Sequence, residues 1–542
     1  MDRGHTPGMN RPVPIPPART AAPSAPAALA GAAAAALALG TGELLAGLVR
    51  GSPSPLVSIG DLLIELQPAG AKQVVVALFG LNDKLALAIA TAVAVLALGA
   101  CIGLLRRRHA DAAKWAILAL TGIGALAGLR NPATSLLLAA ASWGLQSAVG
   151  LAALDWLLGT AGKAAQPATG PDGTIPADDP RRLSGANAAR RRFLAATGVM
   201  GAVALFGSVL GRRLVDERAA RVDEVAVAIP DPVDPAPALG PDPATEVAGL
   251  TPFIVPAADF YRIDTSLVTP SVDVATWQLR VYGMVDREVT LSFADLLELT
   301  LIERHVTIAC VSNEVGGGLV GNATWTGVRL TDVLEMAGVQ AGATQIVGHS
   351  VDGFTAGFPT SWVTECERDA MIAVAMNGAP LTTEHGYPAR LIVPGLYGYV
   401  SATKWLGEIE LTTLEGFDGY WIPRGWAKEA PILTQSRIDV PRQGKGVPAG
   451  RIAIAGVAWA PDRGVAAVEV SIERGPWLPA TVVNESGPAS WVQWKLAWDA
   501  APGTYEISVR ATDGEGKTQT DQPTRPDPDG ARGHHTILVT IV

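Results

Sequence analysis

Apolar residues are spread unevenly along this chain of 542 residues. Before residue 215 they form long unbroken runs, at 27–49, 85–105, 115–129, 133–158 and 193–210. Each approaches or exceeds the ~20 residues a helix needs to cross a bilayer. The pattern predicts a transmembrane region of about five helices over residues 25–215. The third and fourth runs flank Asn131-Pro132, which suggests a tight hairpin. Residues 1–24 are Pro-rich and expected to be disordered. The stretch "IPDPVDPAPALGPDPATEVAGLTPFIVP" (229–256) is Pro-rich and acidic, so residues 216–250 read as an extended linker.

The pattern then changes. "WQLRVYGMV" and "REVTLSF" alternate as strands do, and "ADLLEL" has a helical period. "HVTIAC" reads as a strand. "TGVRLTDVLEMAGV" reads as a turn and then a helix, with Thr331 as N-cap and Gly338 as stop. "ARLIVPG" reads as a buried strand. These elements predict an α+β domain at 251–435. Over 436–542, "RIAIAGVAWA", "VAAVEVSIERG", "WVQWKLAWDA", "GTYEISVRATD" and "HHTILVTIV" follow at short spacing with Gly, Pro and Asp turns. That is the signature of an immunoglobulin-like β-sandwich. It holds no cysteine, so its core must rest on Trp, Val and Ile.

Charge adds orientation. The net charge of −9 argues against nucleic-acid partners. Arg106, Arg107, Arg108 and Lys114 lie between the second and third runs, and Arg181, Arg182, Arg190, Arg191 and Arg192 between the fourth and fifth. A cytoplasmic N-terminus puts both clusters inside, so everything after about Leu214 is expected on the extracytoplasmic side of the plasma membrane. "ARRRFLAATG" (189–198) also resembles a twin-arginine export signal, with ordinary positive-inside flanking as the equal alternative. Glu43 and Asp155 are ionisable groups within the runs, both read as near helix ends. No histidine falls in any run. A bis-His haem in the membrane is therefore not indicated, and the helices read as an anchor or docking platform.

Cysteine is scarce: Cys101, Cys310 and Cys366. No disulfide framework or zinc spacing is present. Cys310, in "HVTIACVSNEVGGGLVGNATW", could fill a core, pair with Cys366, attack a substrate or hold a metal. His305 lies five residues upstream, on the opposite face of a strand, which weakens the nucleophile. The glycines at 316–318 lack the context of a phosphate loop and read as a flexible turn. His349, His534, His535 and Cys366 read as structural or surface residues, and Cys101 as facing lipid or a neighbouring helix.

Separated motifs, in order, resemble the sulfite oxidase family of molybdopterin-dependent oxidoreductases. "FYRIDTSLVTP" (260–270) is similar to the family's F-x-R-x-H segment, with Asp264 in place of His. "ACVSN" is similar to C-x-x-N, with Glu314 following where sulfite-oxidising members carry Arg. "NATWTGVRLTDVL" resembles a stretch that packs beside the pterin. "EHGYPARLIVPGLYGYVSATKWLGEIEL" (384–411) resembles H-G-[FY]-P-x-R, V-P-G and K-W-[LI], with one extra residue before Lys404. "RATDGEGKTQ" resembles a turn of the family's dimerisation domain.

The resemblance implies a molybdenum-molybdopterin cofactor (Moco) with Cys310 as metal ligand. It implies cofactor contacts from Phe260, Tyr261, Arg262, Cys310, Asn313, Asp352, His385, Arg390, Ala402, Thr403 and Lys404. Arg262 and Tyr420 join Cys310 as catalytic candidates, and Arg424 could add charge. The implied protein is a multi-domain, membrane-anchored oxidoreductase: transmembrane helices, then an α+β sulfite oxidase-like domain, then a β-sandwich. It would perform two-electron oxo transfer on a small oxo-donor or oxo-acceptor, in either direction. It would use an external electron-transfer partner and could form a homodimer. The alternative is a non-catalytic membrane-anchored binding protein with a vestigial cofactor site.

Overall fold

A computed structural model describes residues 24–66, 83–130, 134–165, 180–223, 228–266, 268–364, 368–444, 446–483 and 486–542. The chain divides into two compact units. The first ends at Leu214, within the last of six helices: α1 (Ser24–Leu48), α2 (Pro55–Leu66), α3 (Asp83–Arg106), α4 (Ala110–Gly128), α5 (Leu136–Ala165) and α6 (Pro180–Asp223). Five of these are long and apolar enough to cross a membrane. The packing rule is small residues at crossings, because lipid gives helices no hydrophobic reason to associate. A Cβ on Gly31 of α1 would sit 2.0 Å from the Gly99 carbonyl oxygen of α3.

Sequence reading missed α2, whose twelve residues are too few to span. Of the two acids read as near helix ends, Glu43 does lie close to the end of α1, whereas Asp155 does not. Glu43 is buried inside α1 and accepts hydrogen bonds from Ser54 Oγ (2.8 Å) and the Leu56 amide (2.8 Å), so it caps the start of α2. Asp155 lies well inside α5 and pairs with Arg106 at 2.9 Å.

The second unit contains an α+β domain and a two-sheet β-domain of immunoglobulin-like kind. The α+β strands are β1 (Gln278–Gly283), β2 (Val289–Ser292), β3 (Leu301–Ala309), β4 (Val320–Arg329), β5 (Gln345–Ser350), β6 (Thr355–Pro359), β7 (Met371–Met376), β8 (Ala379–Pro380), β9 (Arg390–Ile392) and β10 (Leu406–Thr412). They form a β2-β1-β10-β5-β6 sheet and a β3-β4-β7-β8 sheet, with β9 paired to β7. Leu279, Ile302, Trp325, Ile346, Ile372 and Ile409 fill the shared core. Ser292 caps α7 (Phe293–Glu298) through a reciprocal capping box with Asp295.

Thr331 is not the N-cap of α8 (Leu330–Ala337). Strand β4 continues through "TGVR", so the helix starts directly from Arg329 with no side-chain cap. Gly338 ends it in the left-handed conformation (φ 71°).

The expected linker is helical over 216–223, where α6 continues, and from residue 228 it is largely extended but not free. Val233 donates to Leu301 O at 2.9 Å, and His305 reaches Pro237 O at 3.1 Å. Arg304 and Arg329 both pair with Asp234, and Asp242 accepts from Gln493 Nε2 at 2.8 Å.

The last domain comprises β11 (Gln435–Val440), β12 (Gly446–Val447), β13 (Gly450–Trp459), β14 (Val465–Ile472), β15 (Leu478–Pro479), β16 (Thr481–Val483), β17 (Val492–Ala500), β18 (Gly503–Asp513) and β19 (His535–Ile541). One sheet runs β11-β13-β17-β16 and the other β12-β19-β18-β14-β15. Alternating inward residues, among them Ile454, Val470, Trp494, Val509 and Val539, make its core.

Candidate cofactor site

Cys310 directly follows β3 and opens the loop that returns to β4. Its amide donates to Leu319 O at 2.9 Å, and Asn313 Oδ1 accepts from the Leu319 amide at 2.8 Å. Asn313 thus closes the loop across its base. The Cys310 sulfur lies 2.9 Å from Ser312 Oγ and has no disulfide partner. Cys366 lies outside the described residues. Both ring nitrogens of His305 are engaged, Nδ1 with Thr324 and Nε2 with Pro237 O. Among the described residues, no group of three or more His, Cys, Asp and Glu could hold a metal ion.

A buried aromatic wall stands next to this loop. Phe260 stacks on Tyr261 (5.3 Å) and meets Trp325 (5.9 Å) and His385 (5.8 Å) edge-on. Burial raises the Tyr261 phenol far above its ordinary pKa, and the nearby Cys310 raises it further. Burial likewise pushes Tyr397 up to about 12 and raises Tyr399, with Cys310 a smaller contributor to both. Three phenols therefore lie within electrostatic range of the thiol. Sequence reading named Tyr261 but missed Tyr397 and Tyr399; "GLYGYV", between the V-P-G and K-W motifs, was the available signal.

Arg390 opens β9 and is 4% exposed. It lies over the Trp325 ring (5.0 Å) and donates through Nη1 to His385 O (3.0 Å), while its Nε is buried with no hydrogen-bond partner. Burial lowers its pKa to about 10, so it stays cationic at neutral pH. His385 reaches Ala257 O at 2.8 Å. Burial, with Arg390 and Lys404 adding, lowers its pKa to about 4, so it is neutral.

Two further cations are compensated. Lys404 Nζ lies 2.8 Å from Asp264 Oδ2 and donates to Glu384 O at 3.1 Å. Arg262 Nη1 lies 3.6 Å from Glu384 Oε1. Asp352 accepts from the Phe354 amide at 3.0 Å, and burial raises its pKa, with Asp264 adding and Lys404 opposing. The Ala402 amide is already bonded to Gly398 O, and Thr403 is buried with Oγ1 donating to Gly348 O at 3.4 Å. The Tyr420 ring contacts Phe354, Trp421 and the Arg424 guanidinium.

A buried cation with an orphaned donor, walled by aromatics and adjacent to a loop carrying a free thiol, suits a group with an anionic end and a soft metal. Known proteins agree. The oxidoreductase molybdopterin binding domain matches residues 266–421. Human mitochondrial sulfite oxidase is 29% identical over 303 residues, covering 47% of this chain and 55% of that one. The uncharacterized oxidoreductase YuiH of Bacillus subtilis is 38% identical over 155 residues, covering 28% of this chain and 74% of that one. Among solved structures, sulfane dehydrogenase SoxCD from Paracoccus pantotrophus is similar with a TM-score of 0.48 at 22% identity, covering 53% of this chain and 81% of that one.

The domain is thus a molybdopterin-binding oxidoreductase domain. The chain belongs to the sulfite oxidase family. It spans about half the length of the curated mitochondrial relatives it matches.

Proposed function

We propose that this protein is a membrane-anchored molybdopterin-dependent oxidoreductase performing two-electron oxo transfer on a small substrate outside the cytoplasm. The observation that carries the reading is Arg390, a buried guanidinium with an unused Nε and, among the described residues, no carboxylate partner. A phosphate would satisfy it with charge-assisted hydrogen bonds. When bound, Moco supplies a metal that exchanges an oxo group while changing oxidation state by two electrons.

The chain's residues do the rest. Arg390 and His385 hold the phosphate end, with Lys404, Thr403, Ala402 and Asp352 beside it. Cys310 offers a thiolate, which Ser312 Oγ supports by a hydrogen bond and Asn313 by fixing the loop. Phe260, Tyr261 and Trp325 exclude water. Arg262 faces the substrate, and Tyr420 is its more distant companion. The Arg-rich segments stay in the cytoplasm, and an external partner carries the electrons.

Charge also selects the substrate. Lys404 is paired with Asp264 and Arg262 with Glu384, while the groups in range of Cys310 include three phenols. A neutral oxo-donor or oxo-acceptor, such as a sulfoxide and its thioether, therefore suits the pocket better than sulfite.

The test is molybdenum and pterin analysis of protein purified from a competent host, beside a Cys310→Ser variant. Stoichiometric molybdenum and an altered metal centre in the variant are expected. Protein without molybdenum would return the chain to the non-catalytic reading, and full turnover by Cys310→Ser would remove the thiolate from the metal.

A further inference from the structure

The family resemblance gives the β-sandwich a role in dimerisation. Its contacts within this chain reach the loop that carries the thiol. Arg437 of β11 donates through Nη1 to Gly317 O at 3.0 Å. The same guanidinium is fixed from behind: Nε donates to Asp439 Oδ1 at 2.6 Å and Nη2 to Thr251 Oγ1 at 2.8 Å. His535, the first residue of β19, closes the other side. Its Nδ1 accepts from the Ile438 amide at 2.9 Å, which orients the ring. The ring lies so close to Gly316 that a Cβ there would be 2.2 Å from a ring carbon. Gly316 also has φ +78°, which only glycine adopts without strain. The consecutive glycines are therefore neither a phosphate loop nor a slack turn. Gly316 lets the backbone fit against the His535 ring, and Gly317 lets it pass close to Asn313 of the same loop.

We infer that Arg437 and His535 are positioning residues for the Cys310 thiolate, acting through the 310–319 loop. The path is short. Gly316 and Gly317 are held by the sandwich, and Asn313 is joined to Leu319, which in turn accepts from the Cys310 amide. A loop with two independent clamps keeps its first residue in one place, and small misplacements of a reacting centre are costly. The inference concerns the thiolate's role and so rests on the proposed function.

The experiment compares wild type, Arg437→Ala and His535→Ala in the full chain. It measures amide hydrogen exchange over 313–319, exchange over β13 and β17 as a control, molybdenum content, and kcat and KM with artificial electron donors or acceptors. Loop amides are expected to exchange about tenfold faster, with the control strands unchanged. With metal retained, kcat is expected to fall by about tenfold while KM stays within about twofold. Arg437→Ala uncovers the buried Asp439, so His535→Ala, which removes only a ring contact and one acceptor, keeps the test valid if the first variant misfolds. Unchanged loop exchange in a folded variant overturns the clamp. Faster exchange with wild-type kcat overturns the positioning role. The exchange readout needs no metal, so wild type lacking molybdenum would sink the proposed function while leaving the clamp measurable.

Discussion

Arg390 and Arg262 are both arginines brought to one site by family-like motifs, yet their surroundings are opposite. Arg390 is 4% exposed and faces aromatic rings, a carbonyl and a neutral imidazole. The Arg262 side chain is 57% exposed and has Glu384 at 3.6 Å. A buried charge without a counter-ion destabilises the protein that carries it. A rim charge with a partner contributes little either way. The contrast suggests that one arginine is retained for a ligand while the other tunes the approach to it.

The largest test of this contrast is Arg390→Met. Cofactor retention is expected to fall by on the order of a thousandfold, while the cofactor-free protein melts at a higher temperature because an uncompensated buried charge is gone. Metal analysis and thermal unfolding check the two halves. A drop in both would make Arg390 a structural residue.

The next test concerns pH. His385 has a folded pKa of about 4, below its ordinary value of 6.5. The unfolded chain therefore takes up the proton first. The stability that a neutral His385 provides is complete above about pH 6.5, falls as pH drops toward 4, and amounts to about 3 kcal/mol at most. His385→Gln should flatten that part of a denaturation-versus-pH curve.

Smaller again is Asp264→Asn, which leaves the largely buried Lys404 without its carboxylate and should cost about 2 kcal/mol of stability. The same change should raise kcat/KM for sulfite relative to a sulfoxide. The least expected effect is from Glu384→Gln, because the pair is exposed. Stability should move by less than about 1 kcal/mol and sulfite kcat/KM rise by about threefold. No response of sulfite turnover to either substitution would mean that the rim does not select by charge.

Much of the fold was legible because burial leaves a period. The long helices showed as unbroken apolar runs, and the larger strands of the last domain as alternation. Arg329 shows where this fails: a strand that passes straight into a helix gives no capping residue, so Thr331 drew the reading instead. The site was legible only in part. Motif spacing pointed to Cys310 and Arg390, but the pairing of Lys404 with Asp264 joins residues 140 apart in the chain. Neither that pair nor the contact of Arg437 with Gly317 leaves a local pattern. Tyr420 is the instructive case. It sits where the motif order suggests, yet its rings are Phe354 and Trp421, while Tyr397 and Tyr399 lie in range of the thiol.

The docked linker has a mechanical consequence. A Pro-rich acidic segment normally acts as a leash whose contour length sets how far a tethered domain can roam. Here residues 233–237 bond along β3 and Asp242 is held by Gln493 of β17, so the stretch from Ile229 to Asp242 contributes none of that length. At ~3.3 Å per extended residue, this removes ~45 Å from the reach available to a swinging domain. Tension arriving along the chain would be taken up first at Val233 and Asp234, beside the start of the strand that leads to Cys310.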